Sequence, residues 1–200
     1  MTQTTQGGFT LYELMITVLI AGIILALGVP NLQDFRANAR MTSAVNDLHS
    51  AFHMARTEAA RARQNVTICA SPNPLAADSD CGGTFADGWI VFEDTDGDIT
   101  RDAGEALLRS HPPIPAQISI STPGMGQYFS FAPTGLGRGD VTGQPPVTTA
   151  VLCDERGNVR AIGANSAARV LVVTPLGRPT VIREKNRIDT LIGISGATCP

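Results

Sequence analysis

Residues 7–30 read GGFTLYELMITVLIAGIILALGVP, and one side chain in that run, Glu13, is out of place. From Phe9 to Val29 every other residue is uncharged. At about 1.5 Å of helical rise per residue, such a segment crosses the roughly 30 Å of a hydrocarbon core. A carboxylate in that span costs about 2–3 kcal/mol or more at mid-bilayer and less near the headgroups. The segment therefore calls for something that neutralises Glu13.

A cleavable secretory signal begins with positive charge and ends at a small-residue site. Ala26-Leu27-Gly28 imitates such a site, but MTQTTQGG contains no Lys or Arg. An ordinary single-span anchor leaves Glu13 unexplained. The residues select a third reading: Gly8-Phe9-Thr10-Leu11, Glu13-Leu14 and the apolar run to Pro30 resemble the type III signal of type IV prepilins and type II secretion pseudopilins. The resemblance implies cleavage after Gly8 by a prepilin peptidase and methylation of the new N-terminal residue, Phe9. It also implies that Glu13 pairs with the N-terminal amine of a neighbouring subunit. In a low-dielectric filament core that pairing offsets much of the desolvation of both charges. The eight-residue leader lacks the usual basic residue, and Tyr12 stands where Ile is common. Arg36 and Arg40 lie on the side placed in the periplasm, so orientation follows from the resemblance and not from the positive-inside rule.

The chain has 200 residues, a net charge of −3 and 43% hydrophobic residues. Beyond the anchor there is enough chain for one domain with its own core. The mild acidity excludes a surface built throughout for nucleic acid and leaves room for a local patch. Pro30 falls in a helical pattern with Gly22 and Gly28 in the preceding turns, so a kink is expected there. Past it, Met41, Val45, Leu48, Phe52, Ala55 and Ala59 recur at steps of four and three, one apolar stripe opposite Arg40, Asn46, Asp47, Arg61 and Arg63. Runs at 65–70, 88–94, 106–111, 117–121, 127–133, 149–154, 168–175 and 179–183 read as strands between Gly, Pro, Asn and Asp clusters.

This divides the chain into a leader (1–8), a transmembrane or filament-core helix (9–29), its amphipathic continuation (30–64) and a β-rich region (65–200). The expected fold is α+β and type IV pilin-like, a long N-terminal helix packed on antiparallel β-sheet. The blocks DLHSAFHMARTEAARARQNVTICAS, DGWIVFEDTDGD, AGEALLRSHPPIP, FAPTG, LCDERG and RVLVVTPLGR resemble, in that order, the GspH/FimT subfamily of minor pilins and pseudopilins.

Four cysteines, Cys69, Cys81, Cys153 and Cys199, suit an oxidising compartment and permit three pairings. The favoured one joins Cys69 to Cys81 and Cys153 to Cys199; a zinc site is the rival, without any CxxC spacing to support it. Asp94, Asp96, Asp98 and Glu105 occupy positions 1, 3, 5 and 12 of a calcium loop, but Ile99 stands at position 6, where such a loop uses Gly. The alternative is an acidic hairpin tip. His49 and His53 are four apart on the helix but lack a third ligand, which makes them flanks of the packing stripe. The Arg-Gly-Asp at 138–140 reads as a coincidence.

Residues 153–200 carry Arg156, Arg160, Arg169, Arg178, Arg183, Lys185 and Arg187 against Asp154, Glu155, Glu184 and Asp189, a charge of +3 in a chain of −3. Some members of the FimT branch bind DNA through a Gly-Arg-x-Arg segment near the C-terminus. Here Gly177-Arg178 match, Pro179-Thr180 follow, and the next arginine is Arg183. An extended stretch would put Arg183 and Lys185 on one face and Arg178 near the preceding turn, and with Arg187 these form a candidate phosphate-tracking set. No aromatic interleaves them, which favours backbone contact over base stacking.

No nucleophile elbow, phosphate loop or correctly spaced metal motif is present, so neither an enzyme nor a cofactor is expected. The expected role is a minor type IV pilin at or near the pilus tip, capturing double-stranded DNA through its basic end; the alternative is the H-type minor pseudopilin of a type II secretion system. The partners implied are major and minor pilins or pseudopilins, the prepilin peptidase and an inner-membrane assembly platform. The implied location is the bacterial inner membrane, single-pass with a periplasmic C-terminal domain, and then the pilus or pseudopilus.

Overall fold

Apolar residues at steps of four and three line up on one side of a helix. In the computed structural model, which describes residues 8–199 and all their side chains except those of Leu27, Pro30, Asn31 and Ile162, they do so on α1, Leu11–Ala62. Met41, Val45, Leu48, Phe52, Ala55 and Ala59 are each at most 1% exposed. α1 is assigned as one helix through position 30, so the proline there does not end it. Leader residues 1–7 lie outside the described residues.

The chain divides after Ala39 into two compact units. In the first, Phe9, Leu11, Leu14, Leu19, Ile24 and Phe35 are all exposed. Among the described residues no helix is long and apolar enough to cross a membrane. The stretch with every side chain described, Leu11–Ala26, rises about 24 Å, short of the roughly 30 Å a span needs; the expected segment 9–29 continues past it through Leu27.

The second unit holds two antiparallel sheets of four strands. One runs β3-β2-β1-β5, from Leu107–His111, Trp89–Glu93, Val66–Ala70 and Tyr128–Phe131. The other runs β4-β6-β7-β8, from Ile118–Ser121, Thr149–Asp154, Asn165–Val173 and Pro179–Glu184. All eight lie where the sequence places strands. Alternation sorts their side chains: Val66, Ile68, Val91, Phe129, Leu152 and Leu171 join the helical stripe in one core. Cys69, Ile90, Phe92 and Tyr128 form a smaller cluster on the first sheet, and Val151, Cys153, Val170 and Ile182 form another on the second. A truncation in the main core such as Phe52→Ala costs about 3–5 kcal/mol.

The cluster on the second sheet is completed by an element absent from the sequence reading. After β8 the chain is not extended: Lys185–Ser195 form α2, which lays Ile188, Leu191 and Ile192 on that sheet. It ends at Gly196, left-handed at φ 69°, whose N–H donates to the Ile192 carbonyl at 3.0 Å.

Asp47, expected on the solvent face of α1, is half-buried instead. The His111 Nε2 lies 3.7 Å from its carboxylate, and the His111 ring stacks on Trp89 with centroids 3.8 Å apart. Arg109 Nη1 donates to Ser50 Oγ at 3.1 Å, so edge strand β3 is tied to the helix twice.

Candidate functional site

At the start of α1, Thr10 and Glu13 satisfy one another. The Thr10 N–H donates to Glu13 Oε2 at 3.0 Å and its hydroxyl to the same oxygen at 2.9 Å, while the Glu13 N–H donates to Thr10 Oγ1 at 3.2 Å. This is a capping box, which serves donors that the first helical turn otherwise leaves open. Its Thr-x-x-Glu signal stands in the sequence at residues 10–13, within the stretch read above only as part of the prepilin signal. The carboxylate is exposed and turned toward the N-terminal end of its own helix. Gly8 has open space about its Cα, and Phe9 is 85% exposed, so the expected cleavage point is accessible.

The basic residues of the C-terminal end do not form one stripe. Gly177 and Arg178 sit in the β7–β8 turn, where the Gly177 N–H donates to the Thr174 carbonyl. Arg178 acts on His53 of α1. Loss of solvation, then the charges of His49, Arg56 and Arg178, hold the His53 imidazole below its ordinary pKa. Arg183 stands at the other end of β8, about 16 Å away at roughly 3.3 Å per residue.

Near it, Arg169 is buried, its Nη1 donating to the carbonyls of Ser166, Ala167 and Ala168. Burial first, then Arg183 and Arg156, lower the Arg169 pKa, with Asp154 opposing. Arg156 closes on Asp154 at 2.6 Å. Lys185 Nζ lies 2.5 Å from Asp189 Oδ1, and that hydrogen bond, followed by one from Asn158, lowers the Asp189 pKa. Arg183 and Arg187 are exposed, and Arg187 borders a groove with Val172, Ile182, Thr190 and Leu191. The first turn of α2 contains no acidic residue, but its N-cap is the exposed Glu184, directly after Arg183.

Cys69 pairs with Cys81 and Cys153 with Cys199, with no free cysteine among the described residues, which removes the zinc reading. His49 and His53 meet edge to face at 4.6 Å, and among the described residues no third metal-ligating side chain joins them. Arg138 of the Arg-Gly-Asp tripeptide is half-buried. It donates to Gly97 O at 3.0 Å and Ser130 Oγ at 3.1 Å and lies 3.4 Å from Asp94, so the tripeptide is not presented as a unit. Asp94, Asp96 and Asp98 converge, while Glu105 turns to the backbone N–H groups of Thr95 and Asp102.

Residues 44–177 match the family described as type II transport protein GspH. The chain belongs to the GspH family. It is also similar to a fimbrial protein of Moraxella nonliquefaciens, 32% identical over 134 residues, or 66% of this chain and 70% of that one. A Pseudomonas aeruginosa fimbrial protein is 38% identical over 73 residues, or 36% of this chain; the chain spans 47% of that relative's length. Among solved structures, the P. aeruginosa type IV minor pilin FimU gives 19% identity and a TM-score of 0.46, over 74% of this chain and 92% of that one. This GspH-family chain is thus a type IV pilin or pseudopilin family member with an α+β fold, its helix packed on antiparallel sheets. The GspH match takes in the buried half of α1, Cys69–Cys81 and the acidic loop, and it stops at Gly177. Arg178, Arg183, Lys185, Arg187 and Cys199 lie beyond it.

Proposed function

We propose that this chain is a minor type IV pilin, a structural subunit at or near the filament tip and not an enzyme. The observation that carries the reading is Glu13: the one charge in the apolar segment 9–29, held at the start of α1 beside the residue where cleavage after Gly8 would create an amine. Before assembly the segment 9–29 resides in the inner membrane with residues 65–200 in the periplasm. In the filament the carboxylate exchanges its capping role for the amine of a neighbouring subunit. The prepilin peptidase, an inner-membrane platform and other pilins are the partners.

The capping box lets the pairing be tested apart from helix stability. Thr10→Val breaks the box and keeps the carboxylate; Glu13→Val removes both. Both variants should stay in the membrane fraction, with Thr10→Val entering sheared filaments and Glu13→Val missing from them. Normal incorporation of Glu13→Val would sink the pairing, and a Gly8→Asp protein of mature size would sink the cleavage site.

DNA capture is the finer part of the proposal, and it rests on the exposed Arg183 and Arg187, with Lys185 muted by Asp189. In a mobility shift with the full chain in detergent, Arg183→Ala/Arg187→Ala should abolish salt-sensitive binding and Arg178→Ala should spare it. Absence of binding by the unmodified chain leaves a filament subunit alone.

The family description favours a second reading, an H-type minor pseudopilin of a type II system. Deleting the gene separates the two: lost pili with intact protein secretion supports the pilin, and lost secretion with intact pili supports the pseudopilin.

A further inference from the structure

The β2–β3 connection reads DTDGDITRDAGE over residues 94–105, with carboxylates at its first, third, fifth, ninth and twelfth positions. A calcium loop draws side-chain oxygens from those places and a backbone carbonyl from the seventh. In the fold, one carboxylate oxygen each from Asp94, Asp96 and Asp98 lies within 4.8 Å of the other two. Oxygens bound to one calcium ion at about 2.4 Å can be no further apart than that.

A second observation points to a ligand. Asp94 is completely buried, and its two oxygens are treated unequally. Oδ2 accepts from the Thr67 hydroxyl at 2.6 Å and from Arg138 at 3.4 Å, whereas Oδ1 has no hydrogen-bond partner. A buried carboxylate oxygen left unmatched is costly, and such an exception calls for an explanation. Asp94 also offers one of its oxygens to the cluster formed with exposed Asp96 and Asp98.

The residue that counts against the loop in the sequence is accommodated by the backbone. Ile99, at the sixth position, has φ 72°, the left-handed conformation for which calcium loops use glycine. Glu105, at the twelfth, is drawn back to the loop, its Oε1 accepting from the Thr95 N–H at 2.6 Å and its Oε2 from the Asp102 N–H at 3.1 Å, so it braces the loop and stands outside the converging set of ligands.

We propose that Asp94, Asp96 and Asp98 bind a calcium ion, with Asp102 and Glu105 at the ninth and twelfth positions of its loop. The donors are all oxygen, which selects a hard cation, and an irregular carboxylate set suits calcium better than octahedral, strongly hydrated magnesium. The ion would brace more than one loop. The Arg101 N–H donates to Asp80 Oδ1 at 3.1 Å and its Nη1 to the Ala77 and Ser79 carbonyls, which joins the acidic loop to the one closed by Cys69–Cys81.

The test uses the full chain in detergent, stripped with EDTA and titrated calorimetrically with CaCl2, alongside thermal melts in EDTA, CaCl2 and MgCl2. One saturable calcium site is expected, with Kd in the range of about 10⁻⁴–10⁻³ M found in extracellular modules, and a rise in Tm larger with calcium than with magnesium. Asp96→Asn/Asp98→Asn changes only exposed groups; it should melt like the parent in EDTA, lose the calcium shift, and bind at least roughly tenfold more weakly. No heat and no shift at about 10 mM calcium overturns the proposal. So does undiminished binding by the double variant, which puts the ion elsewhere, or an equal shift with magnesium, which reduces the effect to charge screening.

Discussion

Gly177 lies so close to Phe131 that a Cβ at 177 would stand 2.5 Å from the ring's Cε1. Its φ is 73°, and the neighbouring turn also packs closely, with a Cβ on Gly137 placed 2.6 Å from the Pro175 carbonyl. The glycine of the Gly-Arg pair is therefore a packing requirement, whatever the arginine does.

It follows that Gly177→Ala should destabilise the domain by about 1–3 kcal/mol, through backbone strain and overpacking. Urea denaturation of parent and variant measures it. Unchanged stability would mean that the two turns are not locked together.

Arg169 makes a comparable structural claim. Its guanidinium serves three consecutive carbonyls beside the irregularity between Asn165 and Val170 in the β7–β8 pairing. Arg169→Met retains much of the apolar stem but leaves those carbonyls unmet. A loss of about 2 kcal/mol or more is expected in chemical denaturation, with little effect on a DNA mobility shift. The opposite pattern would make Arg169 part of the ligand surface.

The two disulfides should differ in value. Cys69–Cys81 closes 12 residues and Cys153–Cys199 closes 46. By loop entropy the first contributes about 3 kcal/mol and the second about 4 kcal/mol. Cys153→Ser/Cys199→Ser should thus lower Tm more than Cys69→Ser/Cys81→Ser, and hydrogen exchange should show the excess loss in α2, whose apolar face shares a small cluster with Cys153 and Cys199.

His53 supplies a pH dependence. Its folded pKa lies below the ordinary value of 6.5, so on acidification the unfolded chain takes up the proton first. Its contribution to stability is present above pH 6.5 and is lost as pH falls from there through the lower folded value. Arg178→Gln removes one of the charges opposing protonation, and an NMR titration should find the His53 midpoint moved upward. A midpoint that does not move would separate Arg178 from the helix.

Much of this was legible beforehand. The six residues of the α1 stripe and the eight strands carried strong periodic or β-rich signals, and the favoured cysteine pairing is the one observed. α2 was hidden because its apolar residues, Ile188, Leu191 and Ile192, amount to one short face among charges, and Glu184 provides no side-chain cap to announce it. The turn position of Arg178 and the strand that separates it from Arg183 were legible in residues 179–183, whereas the helical setting of Lys185 and Arg187 was lost with α2. The roles of Arg138 and Asp94 depend on contacts 44 residues apart in sequence, which no local pattern encodes.

The short link between α1 and β1 has a mechanical consequence. α1 ends at Ala62 and β1 begins at Val66, and β1 is an interior strand, paired with β2 on one side and β5 on the other. A pull transmitted along the helix enters the sheet at its middle, not at a free edge. The strand can leave only by rupturing two hydrogen-bond ladders and extracting Val66 and Ile68 from the core, so the point where tension arrives is among the best anchored in the domain.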